Sequence, residues 1–513
     1  MSAAAPSQPA PLVGVALAVT SVALALGTFM QVLDGTIANV SLPTISGNLG
    51  HSTDDGTWII TSFAVANGVT VPLTGWLMAR FGVVRTFTAS VIAFTIASLL
   101  CGIAWSLDSL IAFRILQGAV SGPMIPGSQA LLIAIFPAHK RGTALAIWSM
   151  TTLSAPVLGP VLGGYISDNY HWGWIFLINV RVGLIAGAIT WSSLARRDTP
   201  TRKLPIDTVG LLLLAFWVFS LQTVLDLGKN RDWFHNEIIV VLAICTVLGF
   251  IAWLIWELTE GHPAIDLTIF RRRNFTFGTI ALCLGYALLF ANNLLLPLWL
   301  QQYMGYTATW AGLVAAPAGI VAVVATPFVA RLKFDPRVLA TASFLAFGAS
   351  YYMRSLYTPD SSFLVLAIPL TLQGLAMSMF FVPLVTISFD GIPHDRIPAA
   401  SGISNFARIT SGSFAASLIT TFWDRRESLH QEQLVDGTSP FSPIFHQATA
   451  RLQDAGLSQS QAAGSVLRQV VQQSYLLSSI ELFWLCAWLA LSMVALVWIT
   501  RKPAPSNVVV AAD

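Results

Sequence analysis

Fourteen continuous apolar blocks, parted by short charged turns, leave this chain few folds to adopt. A run of about 18 apolar residues is long enough to cross the hydrocarbon core as a helix. The blocks fall at 14–38, 57–79, 86–105, 109–135, 142–166, 173–194, 208–226 and 237–257, then at 275–299, 308–330, 336–356, 363–388, 398–422 and 475–499. They are continuous rather than alternating, which argues against a transmembrane β-barrel. With 55% hydrophobic and 10% charged residues among 513, the chain lacks the polar shell that a soluble protein of this size needs. The expectation is an all-α integral membrane protein with 14 transmembrane helices.

Lys and Arg set the orientation. A cytoplasmic N-terminus puts 17 of the 27 basic residues in inside loops, among them Arg80, Arg85, Lys140, Arg141, Arg271, Arg272 and Arg273. Both termini are therefore expected in the cytoplasm. The first block follows no basic n-region and contains Asp34, so it reads as an uncleaved span. The chain also echoes itself: GWLMARFGVVR, Gly75 to Arg85, returns as FVARLKFDPR, Phe328 to Arg337, and PAHKR, Pro137 to Arg141, as PHDR, Pro393 to Arg396. The pattern is 6 + 2 + 6. An N-terminal six-helix half spans 1–200, and a two-helix insert with cytoplasmic flanks spans 201–270. A C-terminal six-helix half spans 271–513 and includes a periplasmic loop at 423–474. An even insert keeps the halves parallel, an arrangement that holds substrate between repeats.

Away from the block edges, five charged residues lie inside the blocks: Asp34, Arg114, Arg181, Arg408 and Glu481. Each costs about 2.5–3.5 kcal/mol at mid-membrane on insertion scales, so each needs a partner or a wet cavity. Counting the helical rise puts Asp34, Arg114 and Glu481 in the outer third and Arg408 near the middle. An acid and a base at one depth predict a pair, Asp34 with Arg114. Loss of water disfavours a carboxylate's charge and a nearby guanidinium restores it, so moving the Arg in and out of contact would switch proton affinity between the faces. A static pair, or an acid that anchors its helix end, is the alternative. Glu481 reads as a second coupling or cavity-lining acid, or as an anchor. Arg408 reads as counter-charge for an anionic substrate, or as a cap on carbonyls.

Amides inside spans usually face protein or water. Gln31, Asn39, Gln117, Asn292, Asn293 and Asn405 are thus candidates, with Arg408, for the lining of a substrate cavity whose apolar walls suit hydrophobic ligands. In the fifth block Ala155, Gly159 and Gly163 recur every four residues, with Gly164 beside them, a stripe that permits close helix approach. Pro156 and Pro160 remove backbone donors there. A bent, tightly packed helix between the halves would seal one side of a pathway. Other chemistry lacks its residues: there is no Walker A pattern, HExxH or CxxC, and all eight histidines fall in loops, so no metal, cofactor or enzymatic activity is expected. The four cysteines are widely separated within blocks and read as small hydrophobes.

The same residues resemble a known family. MQVLDGTIANVSLPTI, Met30 to Ile45, is similar to the first-helix motif of EmrB-type members of the fourteen-helix drug:proton antiporters, in the major facilitator superfamily. RILQGAVSGP, Arg114 to Pro123, resembles the fourth-helix motif whose Arg is tied to proton transfer, and APVLGPVLGGY, Ala155 to Tyr165, the fifth-helix antiporter motif. WGWIFLINV, Trp172 to Val180, and LDLGKNRDWF, Leu225 to Phe234, fit the same subfamily. The resemblance runs from the first block to the last. It implies a major facilitator fold, alternating access, and export of hydrophobic drugs and toxic compounds in exchange for protons, with no cofactor beyond the gradient. It also implies a multi-pass place in the bacterial inner membrane, a periplasmic adaptor (EmrA-type) and an outer-membrane channel (TolC-type). A proton-independent facilitator or importer of the same fold is the alternative. The chain departs from the family in two places. Ala79 stands where an acid usually precedes the Arg of the cytoplasmic turn, and Arg181 stands where Pro is common. Arg181 either binds an acidic substrate or reaches the headgroups.

Overall fold

The computed structural model describes residues 12–137, 140–201, 205, 207–261, 263, 265–332, 334–436 and 442–503. Among them are eighteen α-helices and no strand. A first bundle holds α1 (Gly14–Asn48), α2 (Thr53–Thr70), α3 (Thr74–Phe81), α4 (Val83–Gly102), α5 (Leu107–Ser121), α6 (Met124–Ile135), α7 (Arg141–Asn169) and α8 (Trp174–Leu194). The insert contributes α9 (Thr208–Leu227) and α10 (Glu237–Thr259). A second bundle holds α11 (Arg273–Gln302), α12 (Ala308–Val329), α13 (Pro336–Arg354), α14 (Phe363–Ser378), α15 (Phe381–Ser388) and α16 (Ile397–Asp436). It is completed by α18 (Gln459–Ile499), with the short α17 (Pro443–Asp454) before it.

Three blocks are broken where proline withdraws a backbone donor. The block at 57–79 becomes α2 and α3, bent by 57° around Pro72. The block at 109–135 divides into α5 and α6 at Gly122 and Pro123, and that at 363–388 into α14 and α15 at Met379 and Phe380. In each of these two, a proline in the second piece (Pro126, Pro383) has no N–H for the carbonyl four residues back, at the break itself. By length and apolarity ten helical units can cross a membrane, or eleven with the bent pair as one. The other three of the fourteen expected blocks are occupied by α7, α13 and α16, whose polar residues point into protein. On α16 these include Ser401, Ser404, Asn405 and Arg408, all buried.

Helix α1 packs on α7 and α8, α2 on α5, and α4 on α8. In the second bundle α11 packs on α16, α12 on α14, and α13 on α18. The bundles meet where α7 touches α12 and α15, and where α3 and α6 touch α16. Gly75 makes the last contact possible, since a Cβ there would lie 2.6 Å from the Ala399 Cα. The insert pairs α9 with α10 and rests α9 on α2 and α16. Ile238, Val241, Ile244, Val247, Leu248 and Ile251 of α10 are exposed, as a lipid-facing helix requires.

The segment expected as a loop at 423–474 is largely helix. Helix α16 runs on to Asp436 and α18 starts at Gln459. The run from Trp423 to Asp436 is polar but holds neither Gly nor Pro, so nothing in it stops the helix. At 1.5 Å per residue the extension projects about 20 Å beyond the expected span. Residues 437–441 lie outside the described residues.

Candidate functional site

Asp34 lies in α1 and is 1% exposed. Arg114 of α5 brings Nη1 to its Oδ2 at 2.6 Å. Gln117 Nε2 and Asn179 Nδ2 donate to Oδ1 at 3.1 and 2.8 Å. Arg114 is held in turn: Nη1 donates to Gln117 Oε1 at 2.7 Å and Nε to the Ile59 carbonyl of α2 at 3.0 Å. Its guanidinium lies 4.2 Å from the Phe63 ring and 5.6 Å from Phe176. Gln117 carries the network on to Ser98 of α4 at 2.8 Å. One acid and one base are thus desolvated together and every oxygen of the acid is met, the condition under which a buried pair holds.

Local sequence explains the assembly. Arg114 and Gln117 are three apart and share one face of α5. Gly118 lets that face settle on α2, since a Cβ there would stand 2.4 Å from the Phe63 carbonyl. The expected pair of Asp34 and Arg114 is brought together, and Gln117 with it. Asn179 and Ser98 were missed, although an amide within a span, in the stretch Trp172 to Val180, was the available signal. Gln31, one turn before Asp34, is buried with its Oε1 unpartnered, whereas Asn39 is exposed.

A second cluster joins the bundles. Arg408 of α16 is 1% exposed, and its Nη2 donates to Asn405 Oδ1 at 3.0 Å. Tyr286, Phe381 and Trp148 surround the guanidinium at 4.5, 5.7 and 5.9 Å. Asn405 Nδ2 donates across to Gln129 Oε1 of α6 at 3.0 Å. The other expected lining residues lie elsewhere. Asn292 is buried with Oδ1 unpartnered, and Asn293 is exposed and accepts from Gln373 at 3.5 Å. Gln373 in turn accepts from Arg354, near the end of the block at 336–356, which is fully buried. Glu481 is not drawn into the Asp34 network. It accepts from Arg426 Nε and Nη2 at 2.6 and 2.7 Å and lies 3.2 Å from His430 Nε2, where α16 and α18 leave the bundle. Arg181 is exposed, as a headgroup-reaching side chain would be.

The small-residue stripe packs on α1 rather than across the bundle interface. A Cβ on Gly159 would stand 2.1 Å from Thr36 Oγ1, and one on Gly163 would stand 3.3 Å from the Ile37 carbonyl. Ala155 is fully buried, while Gly164 has nothing within 4 Å of an added Cβ. Helix α7 continues through Pro156 and Pro160; the Pro160 side chain lies outside the described ones. The stripe therefore backs the helix that carries Asp34, two residues from Thr36. Gly159→Leu is expected to cost about 1–3 kcal/mol in overpacking and lower Tm, and Gly164→Leu to leave Tm near wild type, both read by thermal unfolding in detergent.

The turn after α3, expected on the cytoplasmic side, finds its acid from afar. Asp198, beyond α8, accepts from the Val84 and Arg85 backbone N–H groups at 2.9 and 3.3 Å, and pairs with the Arg85 side chain at 3.5 Å. It caps α4 just after Gly82, whose φ of +95° suits glycine. Arg80 stacks on Trp76 and Phe81 at 5.5 and 5.7 Å.

Two packed bundles of membrane helices, one enclosing an acid–base pair, define an integral membrane transporter. The family model described as Major Facilitator Superfamily matches residues 24–416. Multidrug export protein EmrB of Escherichia coli (strain K12) is 47% identical over 499 residues, covering 97% of this chain and 98% of its own. Fatty acid resistance protein FarB of Neisseria gonorrhoeae is 46% identical over 499 residues, covering 97% and 98%. The solved structure of the proton:xylose symporter XylE bound to 6-bromo-6-deoxy-D-glucose shares the fold, with TM-score 0.56 at 12% identity over 94% of this chain and 95% of that one. The chain belongs to the Major Facilitator Superfamily and, within it, to the EmrB family. It is a multi-pass protein of the inner membrane.

Proposed function

We propose that the protein exports hydrophobic drugs and toxic compounds in exchange for protons, by alternating access between the two bundles. The observation that carries this reading is the Asp34–Arg114 pair at 2.6 Å, one proton-accepting group and one fixed charge sealed from solvent. The relatives named for multidrug export and fatty acid resistance, each matched along nearly the whole chain, support the choice of substrate and direction. A proton reaching Asp34 from the periplasm neutralises it and frees Arg114 from its counter-charge. The protonated form turns inward, releases the proton to the cytoplasm and takes up substrate. One proton crossing 100 mV contributes about 2.3 kcal/mol, and one pH unit adds about 1.4 kcal/mol. Together they sustain a gradient of about a few hundred-fold.

In this reading residues 1–200 and 271–513 are the rocking halves, residues 201–270 form the insert, and fourteen helices span the membrane with both termini inside. Asp34 and Arg114 couple protons, and Glu481 serves as an anchor for the outer extension. Gln31, Gln117, Asn405 and Arg408 bound the substrate path, with Asn292 and Asn293 farther along it. The outward runs of α16 and α18, with α17, are the surface for a periplasmic adaptor that leads to an outer-membrane channel. Uptake of a hydrophobic dye into inverted vesicles tests the core of this. A gradient acid on the inside is expected to drive accumulation, collapsed by nigericin with valinomycin. Equilibration at the same level with and without the gradient would mean a facilitator instead.

A further inference from the structure

The second bundle repeats the site of the first with its charge reversed. Leu116, Gln117 and Gly118 of α5 return as Leu372, Gln373 and Gly374 of α14. The two glycines seat their helices alike. A Cβ on Gly118 would stand 2.4 Å from the Phe63 carbonyl of α2, and one on Gly374 2.5 Å from the Ala318 carbonyl of α12. Each glutamine then joins two further helices. Gln117 meets Asp34 of α1 at 3.1 Å and Ser98 of α4 at 2.8 Å. Gln373 donates to Asn293 of α11 at 3.5 Å and accepts from Arg354 of α13. An amide stands where the first bundle has its acid, and an arginine where it has a serine.

Arg354 lacks the counter-charge that Arg114 has. It is fully buried, and among the described residues its Nε and Nη1 have no hydrogen-bond partner. Its Nη2 reaches Ser350 Oγ at 3.4 Å besides Gln373. The Tyr351 and Phe483 rings lie 5.3 and 5.8 Å from the guanidinium. Ring faces offset part of a cation's desolvation, yet they leave its donors unmet. Glu481, an acid on the neighbouring α18, is taken by Arg426. A buried, unpaired guanidinium is costly, and the group that completes it is an anion with oxygen acceptors.

A route leads to it. Asn293 is exposed and lies seven residues from Tyr286, on one face of α11. Tyr286 rests 4.5 Å from the Arg408 guanidinium, and Phe290 between them is 37% exposed. That face looks onto the junction of the bundles, where an amide meets water or a ligand rather than lipid. Gln373 bridges Asn293 to Arg354 behind it.

We propose that Arg354 is the site at which the second bundle holds the carboxylate of an amphiphilic, anionic substrate. The occupant's identity as a substrate rests on the export reading above. The carboxylate comes in past Asn293, displaces the Gln373 carbonyl that now takes up one Arg354 donor, and accepts from the guanidinium. Its apolar body lies along Tyr286 and Phe290. The two halves then bind opposite charges, a proton at Asp34 and an anion at Arg354.

The test uses the whole protein in phosphatidylcholine nanodiscs, at a pH where a free carboxyl is ionised. Fluorescence reads the binding of 1-pyrenebutyrate and of its neutral amide, 1-pyrenebutanamide, to wild type, Arg354→Gln and Arg354→Lys. Wild type is expected to prefer the carboxylate, and Arg354→Gln to lower the ratio of the two affinities about tenfold or more. Arg354→Lys keeps the charge but not the planar donors, and should fall between them. Removing an unpaired buried charge should leave Tm no lower than in wild type. No preference in wild type, an equal ratio in Arg354→Gln, or a lowered Tm with both affinities lost together would overturn the inference. Exchanging methanesulfonate for chloride in the buffer should leave the wild-type ratio unchanged. Displacement of pyrenebutyrate by chloride would mark a site for a free inorganic anion and overturn the substrate assignment. Gradient-driven uptake into inverted vesicles, run in parallel, keeps the two readings apart. Driven uptake in wild type with a ratio indifferent to Arg354 sinks this inference alone. A ratio that depends on Arg354, without driven uptake in wild type, removes the proton exchange and leaves the anion site.

Discussion

Asp34→Asn is expected to leave an exporter that equilibrates substrate across the membrane but does not concentrate it. Asparagine keeps the side chain's shape and can still accept from Gln117 or Asn179, which donate at 3.1 and 2.8 Å. It has no proton to exchange. The cluster of Arg408 and Asn405, in the other bundle, makes no contact with Asp34 and is untouched. Driven uptake of dye into inverted vesicles should drop to the level of vesicles without the protein, while exchange of labelled for unlabelled dye persists. Full driven uptake in the mutant would remove Asp34 from the coupling role.

The second large effect falls on stability. Arg114→Ala strands a fully buried carboxylate and empties the donor to the Ile59 carbonyl, and breaking a buried pair from one side costs about 3–5 kcal/mol. Asp34→Asn strands the guanidinium and should be costly for the same reason. Removing both charges, as Asp34→Asn with Arg114→Gln, should recover much of the Tm lost by either single change, because no unpaired charge then remains buried. Gradient-driven transport should stay absent in the double variant. That combination, folding restored and coupling not, separates a role in stability from a role in proton exchange. Additive losses of Tm would show that the two side chains do not depend on each other.

The acid–base pair was legible in the sequence because charge is rare in an apolar block and Asp34 and Arg114 share a depth. Its neutral members were not, since Asn179 and Ser98 carry no cost that singles them out from other polar residues in spans. Three other features hid for physical reasons. Asp198 serves the turn between α3 and α4 from beyond α8, so the local motif with Ala79 looks incomplete although the cap is present. The stripe of Gly159 and Gly163 shows that a close approach exists but not which helix makes it; the partner is α1. The segment from Trp423 to Asp436 looked like loop because it is polar, yet polarity ends a span without ending a helix. Arg354, two residues from the end of the block at 336–356, is buried against Gln373 and Ser350.

The most direct test of proton exchange at Asp34 is proton release on substrate binding. Purified protein in weakly buffered detergent solution, poised near the pH at which driven transport is half-maximal, is mixed with a non-ionisable substrate while a pH indicator is followed. Wild type should release protons in proportion to substrate bound, and Asp34→Asn should bind the substrate with release reduced or absent. Binding without release in wild type, or equal release from the mutant, would contradict the account.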